Sequence, residues 1–362
     1  MIFGRSFRVW LGAGLAGGLL YLLLWPVPVH PVAWTPPRAP ELSGPYRVNH
    51  LLEGLERLGA GMGPGPEDVA QDVEGNLYVG VEDGRILRLP AGGGEAKPFA
   101  DTGGRPMGLA FDSRGNLVVA DARRGLLSVG QGGAIEVLID DLDGHPLRRA
   151  NGVDISPDGL IYFSVSSIAR PIERSYEDFL DHRPTGRLLV YDPRTGRTRQ
   201  VSDSLQFANG VAVAPDGAWV LVAETTAYRV RRVWVKGERA GRSEVLIDNL
   251  PGFPDGVTSD GRGRFWVALA APRNRLFDAL LPHPFLRRVI ARLPSFLWPA
   301  PRRYGFILAV DSAGGVVRQL QDPRGSFAPI TNVTPAGDTL YLGSILEDAI
   351  GRLALPGVGA PR

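Results

Sequence analysis

The chain has 362 residues, 47 of them glycine and 31 proline, and 44% are apolar, which describes a packed, turn-rich protein and excludes an extended disordered one. Forty basic and 38 acidic residues leave a formal net charge of +2 without any aromatic-basic RNA-binding motif, so nucleic acid is not an expected partner. The chain has no cysteine, which excludes disulfides, thiolate metal sites and a cysteine nucleophile.

At the N-terminus, Arg5 and Arg8 precede the uncharged run from Val9 to Val29. At about 1.5 Å per residue this run is long enough to cross a hydrocarbon layer of roughly 30 Å. The residues that follow, HPVAWTPPRAP, are bulky and proline-rich and lack a small-x-small cleavage pattern, which favours a retained anchor over a cleaved signal peptide. Two arginines before the run, and none after it until Arg38, predict a single-pass anchor with a cytoplasmic N-terminus and an exported body on the periplasmic or extracytoplasmic side. Residues 1–29 are therefore read as the membrane anchor, 30–45 as a proline-rich linker and 46–362 as the folded domain.

From Gly65 onward one pattern recurs: a lead residue, a short apolar strand, a glycine turn and a second apolar strand. The segments GPEDVAQDVEGNLYVG, RPMGLAFDSRGNLVVA, RANGVDISPDGLIYFS, FANGVAVAPDGAWVLV and FPDGVTSDGRGRFWVA align without gaps. Glu67, Met107, Asn151, Asn209 and Asp255 become equivalent, each eight residues before a turn glycine: Gly75, Gly115, Gly159, Gly217 and Gly263. A sixth copy, FAPITNVTPAGDTLYLGS, places Ile330 or Thr331 at the lead position. Further strands read as GRILRL, GLLSV, GRLLVYD, YRVRRVWV, GFILAVD and GRLAL. The expected fold is all-β: a six-bladed β-propeller with an N-terminal transmembrane helix and helical cap insertions.

The insertions are Ile168–Thr185 and Pro272–Tyr304 (168–185 and 272–304), the second with helical apolar periodicity and many arginines. Both are expected to cap one propeller face, and the second also suits an interfacial membrane surface.

In a propeller the innermost strands border a central channel, so equivalent lead positions converge on the axis. The converging set holds Glu67, Asn151, Asn209 and Asp255: four oxygen-bearing side chains, two of them anionic, without sulfur or imidazole. That set suits a hard divalent cation, expected to be Ca2+ although other divalent ions fit the same donors, with coordination positions left for water or substrate. The competing reading treats Asn-Gly and Asp-Gly as turn dipeptides, as in the SPDG and APDG turns at Gly159 and Gly217. Register separates the two uses, because Asp158 and Asp216 precede the turn glycine whereas Asp255 shares the lead position of Asn151 and Asn209.

The stretches GRLLVYDP, FANGVAVAPDG, SEVLIDNLPGFPDGV, RRYGFILAVD and LYLGS resemble the strictosidine synthase-like and adipocyte plasma membrane-associated protein-like family, within the senescence marker protein/gluconolactonase and paraoxonase superfamily. The resemblance runs from about Gly65 to Leu355, and it implies that Glu67, Asn151, Asn209 and Asp255 match the calcium ligands of hydrolytic members. The chain departs from the family in two places. Met107 stands where paraoxonases carry a catalytic histidine, and Thr331 stands where strictosidine synthase carries its glutamate, so strictosidine synthase activity is not expected. Gly152 replaces an acidic neighbour of paraoxonase-like sites, which leaves Asp68 a hydrogen-bonding role.

The expected activity is metal-assisted hydrolysis of a small-molecule ester or lactone (arylesterase- or lactonase-like), with Asp255 as preferred base and Glu67 as second candidate. His145, a lone loop histidine, is more simply solvent-facing. No GxSxG elbow, P-loop, dinucleotide fingerprint or HExxH helix is present in the sequence. The alternative class is a non-enzymatic propeller, stapled by its cation, that binds a small ligand, lipid or protein at the membrane.

Overall fold

The computed structural model describes residues 3–355. Six four-stranded antiparallel sheets follow one another along the chain. Their innermost strands are Val69–Gln71, Pro106–Phe111, Ala150–Ile155, Ala208–Val213, Gly252–Ser259 and Asn332–Ala336. Each contacts the innermost strand of the next blade, and the sixth returns to the first, so the blades close into the expected propeller.

The second strands, Leu77–Gly80, Leu117–Asp121, Ile161–Val165, Trp219–Glu224, Arg264–Pro272 and Thr339–Gly343, are mostly buried. That burial explains their near-continuous apolar sequence, since both faces pack against neighbouring blades. The turns before them put Gly75, Gly115, Gly159, Gly217 and Gly263 at φ between 66° and 87°, where a side chain would be strained.

Blade 6 is completed from the other end of the domain. Glu56–Leu58 pairs with Ile350–Ala354 in the register Glu56↔Arg352 and Leu58↔Ile350, a closing strand that the sequence pattern had not shown. The fourth strands of the other blades, such as Lys97–Asp101 and Ile135–Ile139, also escaped the repeat, because their side chains are half-buried or exposed and carry little apolar alternation.

The N-terminal helix α1 spans Phe3–Leu24, and its Phe7–Leu24 stretch is apolar, long enough to cross a membrane and unburied. It stops short of Val29 because Pro26 and Pro28 supply no N–H to continue it. Val29 is instead buried in the same apolar cluster as Leu180, Phe277 and Leu281. The following residues run as a strap over the two insertions, with Val32 N donating to Asp181 O (2.9 Å) and Trp34 N to Leu281 O (3.2 Å).

Both insertions cap the same face. The first carries α2 (Ser175–Asp181); the second carries α3 (Arg275–Leu280), N-capped by Asn274, and α4 (Pro284–Arg292). Arg287 and Arg292 are buried within the lid rather than presented at a surface, where the membrane-interface reading of this insertion had them. Arg292 donates to the carbonyls of Leu22 and Trp25 at the end of α1, and Arg287 to those of Val32, Leu180 and Leu281. Helix ends leave carbonyls without intrahelical partners, and these guanidinium groups satisfy them.

Candidate functional site

The lead residues sit at irregularities built into the innermost strands. Register breaks fall at Pro106/Gly108, Ala150/Val153, Ala208/Val211 and Pro254/Val257. Gly65, Arg149 and Phe207, each two residues before a lead position, have φ of 74°, 78° and 55°. Such bulges turn a side chain out of the alternating pattern of a strand, which is how the lead side chains reach the axis.

The glycine after the lead residue is not a turn residue. A Cβ on Gly152 would lie 2.7 Å from Asn209 O, one on Gly210 2.2 Å from Val257 N, and one on Gly256 2.6 Å from Thr331 O. These glycines let the backbones of neighbouring blades close around the axis. Gly210→Ala is expected to cost about 2–3 kcal/mol, because rigid backbone rather than a flexible side chain stands in the way; thermal unfolding in chelator measures it, and an unchanged melting temperature would contradict this packing.

Glu67, Asn151, Asn209 and Asp255 all line one cavity of about 450 Å3 beneath the lid. The same four also line the upper end of the axial channel, a space of about 190 Å3, so they form the junction between the two. The structure thus brings together all four residues that the register singled out. Glu67, Asn209 and Asp255 are buried, and Asn151 is half-buried. The lid side of the cavity is apolar and aromatic, with Tyr176, Phe179, Phe207, Phe253 and Phe277 among its lining residues.

The polar atoms of the quartet are oriented by partners that sequence reasoning missed. Asn151 Nδ2 donates to Ser166 Oγ (3.0 Å) and Asn209 Nδ2 to Thr225 Oγ1 (3.3 Å), which leaves each amide oxygen free of that contact. Glu67 Oε2 accepts from buried Arg105 (3.3 Å). Among the described residues, no side chain or amide donates to the Asp255 carboxylate. Ser166 and Thr225 follow the second strands of their blades, but they stand seven and eight residues after the turn glycines Gly159 and Gly217, so no common register marks them. Arg105 lies two residues before Met107, at the head of its repeat segment, where the other copies carry Gly65, Arg149, Phe207 and Phe253 and so show no shared residue type.

Burial pushes the Asp255 carboxyl well above its ordinary range, and the Glu67 charge pushes it further. Burial raises Glu67 to about 7; Arg105 opposes the rise and Asp68 adds to it. Two buried carboxylates that repel one another call for a counter-charge, and with two amide oxygens beside them they make a donor set suited to a hard divalent cation. Among the described residues, no three His, Cys, Asp or Glu side chains gather as a metal cluster; two of the four candidate donors here are amides.

The remaining sequence candidates fall into structural places. Asp68 accepts from Val69 N, from Leu109 N in blade 2 and from the Asn332 amide in blade 6, so it staples three blades. Asp154, which the register did not flag, does the same toward Val213 N of blade 4 (2.7 Å). Burial raises both to about 6. Thr331 donates to Glu67 O (2.8 Å). His145 is exposed on a two-residue hairpin strand and does not line the cavity.

Fold and site together define a six-bladed propeller with an oxygen-lined axial junction beneath a helical lid. The model of the SMP-30/Gluconolactonase/LRE-like region matches residues 69–275, and that of the strictosidine synthase-like N-terminal region matches residues 44–89. Protein strictosidine synthase-like 4 of Arabidopsis thaliana is 33% identical over 88% of this chain and 86% of its own length. Adipocyte plasma membrane-associated protein of Mus musculus is 33% identical over 98% of this chain and 92% of its own. The chain belongs to the SMP-30/gluconolactonase family, among its strictosidine synthase-like members.

Two solved structures share the fold at low identity. A gluconolactonase from Xanthomonas campestris has a TM-score of 0.61 at 18% identity, covering 92% of this chain and 99% of its own. Regucalcin from Agrobacterium tumefaciens, described as a calcium-binding protein, has a TM-score of 0.59 at 16% identity, covering 83% and 93%.

Proposed function

We propose that this protein is a calcium-dependent hydrolase of esters or lactones, held at a membrane by α1. The observation that carries the reading is the convergence of Glu67, Asn151, Asn209 and Asp255, from four different blades, on one lidded cavity. A divalent cation held by these four would polarise the substrate carbonyl and lower the pKa of a bound water. Asp255, which no donor among the described residues engages, is the residue that would take the proton from that water, with Glu67 as second candidate. Ser166 and Thr225 hold the amides in orientation, and the lid excludes bulk water from the reacting carbonyl. The gluconolactonase and calcium-binding neighbours support the reading through the fold they share.

In the same reading the N-terminus is cytoplasmic and the propeller exported. Exposed Leu276, Phe285, Leu286, Phe296 and Leu297 lie on the insertion that grips the end of α1, and they rest on the bilayer surface.

The test uses the full chain in detergent, with calcium titrated against melting temperature and turnover of phenyl acetate and of a small lactone followed in parallel. The expected result is calcium-dependent stabilisation together with turnover that chelator abolishes and calcium restores. Stabilisation without turnover of any ester or lactone would favour a ligand-binding propeller, and neither effect would sink the metal reading.

A further inference from the structure

The quartet shares one design feature outside the donor set itself. Three of its members have a second polar atom tied to a buried neighbour: Asn151 to Ser166, Asn209 to Thr225 and Glu67 to Arg105. The first two partners are hydroxyls; the third is a full charge, with side-chain exposure of 4%.

Arg105 reaches from the start of blade 2 across to blade 1, where Nη1 donates to Gly65 O (2.9 Å) and Nη2 to Glu67 Oε2 (3.3 Å). Its own backbone is pinned, with Arg105 N donating to Asp121 Oδ1 (2.9 Å) and its carbonyl accepting from Ala122 N (2.8 Å). Gly65 is matched to this placement, because a Cβ there would lie 2.8 Å from Nη2. The guanidinium therefore enters the blade boundary through a space that only glycine leaves. The carboxylate it meets is a candidate donor to the cation, and the contact engages one of the two oxygens.

A buried guanidinium that serves only as a blade staple could end on carbonyls, as Arg287 does. Arg105 ends on one carbonyl and one carboxylate. Its 3.3 Å contact is longer than the roughly 2.7–2.9 Å of a tight charge-assisted bond. Such a contact restrains Glu67 without claiming it.

We propose that Arg105 is a positioning residue of the axial centre: by holding Glu67 Oε2 against blade 2, it keeps the other oxygen, Oε1, directed to the cation position and so pre-forms the donor set. The inference rests on the metal reading above, although not on the hydrolytic one. A buried donor that is already oriented needs no rearrangement when the ion arrives, which is the effect outer-shell partners have on metal ligands.

The test is calcium affinity by isothermal titration on the full chain in detergent, for wild type, Arg105→Met and Arg105→Lys, beside melting temperatures in chelator. Arg105→Met is expected to raise the calcium Kd at least about tenfold. Arg105→Lys, which keeps a charge within reach of Glu67, should recover most of that loss. An unchanged Kd in a folded Arg105→Met protein, even with a lower melting temperature in chelator, would reduce Arg105 to a staple and overturn the proposal. If Arg105→Met does not fold, Arg105→Gln, shorter and uncharged, takes its place: a calcium Kd raised at least about tenfold supports the restraint, and an unchanged Kd overturns it. A wild type that binds calcium but turns over no ester or lactone defeats the catalytic reading and leaves Arg105 standing. A wild type that binds no calcium defeats both.

Discussion

Asp255→Ala is expected to lower ester or lactone turnover by about a thousandfold at saturating calcium, because it removes both an anionic donor and the group assigned to take the proton. The variant should fold, since no hydrogen bond to the Asp255 carboxylate is lost among the described residues. Its metal-free melting temperature should match or exceed that of wild type, because a buried carboxylate raised by its neighbour disappears. The gain in melting temperature that calcium gives the wild type should shrink toward zero. Asp255→Asn separates the two roles: an amide keeps one oxygen for the cation, so part of the calcium stabilisation survives while turnover is lost. Full activity in Asp255→Asn would move the base to Glu67.

The second large effect is on stability against pH in chelator. Glu67, raised to about 7, and Asp255, raised well above its ordinary range, hold protons more tightly folded than unfolded. Such groups contribute stability that is complete below their unfolded pKa of about 4 and is lost as pH rises through the folded value. Asp68 and Asp154, raised to about 6, act in the same direction. The metal-free protein should therefore melt several degrees lower at about pH 8 than at about pH 5.5, and calcium should level the trend by replacing the protons. His182, buried and lowered to about 3, gives the opposite slope below about pH 6.5. The decisive comparison is therefore with Asp255→Asn in the same buffers: its slope must be shallower than that of wild type.

The repeat was legible because each blade spends its strongest signals, an apolar second strand and a left-handed glycine, on positions where burial and φ admit few alternatives. Equivalence in register then became proximity in space, which is why Glu67, Asn151, Asn209 and Asp255 could be gathered from a linear text. The meaning of the following glycine was half legible: Gly152, Gly210 and Gly256 were weighed as turn formers, whereas they leave room for the backbone of the next blade. Edge strands such as Lys97–Asp101 were lost because one side faces solvent and their periodicity fades. Arg105, Ser166 and Thr225 were lost for another reason. A residue that acts through a neighbour has no composition or spacing of its own, and only its contacts distinguish it from any other arginine, serine or threonine.

The arginines of the second insertion, which suited an interfacial membrane surface, show the limit of reading charge from sequence. Arg287 and Arg292 look like solvated cations in the string, yet Arg287 donates to main-chain carbonyls of the strap and of the lid, and Arg292 to those at the end of α1. Proline and helix ends create acceptors without donors, and a long guanidinium is the side chain that can serve several of them at once.

Glu56–Leu58 reaches its place in blade 6 by pairing with Ile350–Ala354, residues that leave the ribosome long after it. The earliest strand of the propeller must therefore wait, unpaired and next to α1, until the last strand of blade 6 exists. During that interval the nascent ring is open at one seam, and a ribosome that stalls before Ile350 releases a product with two bare sheet edges. Quality control in the cell thus has a physical handle on ring closure: only a chain that extends through Ala354 can hide both edges by joining them.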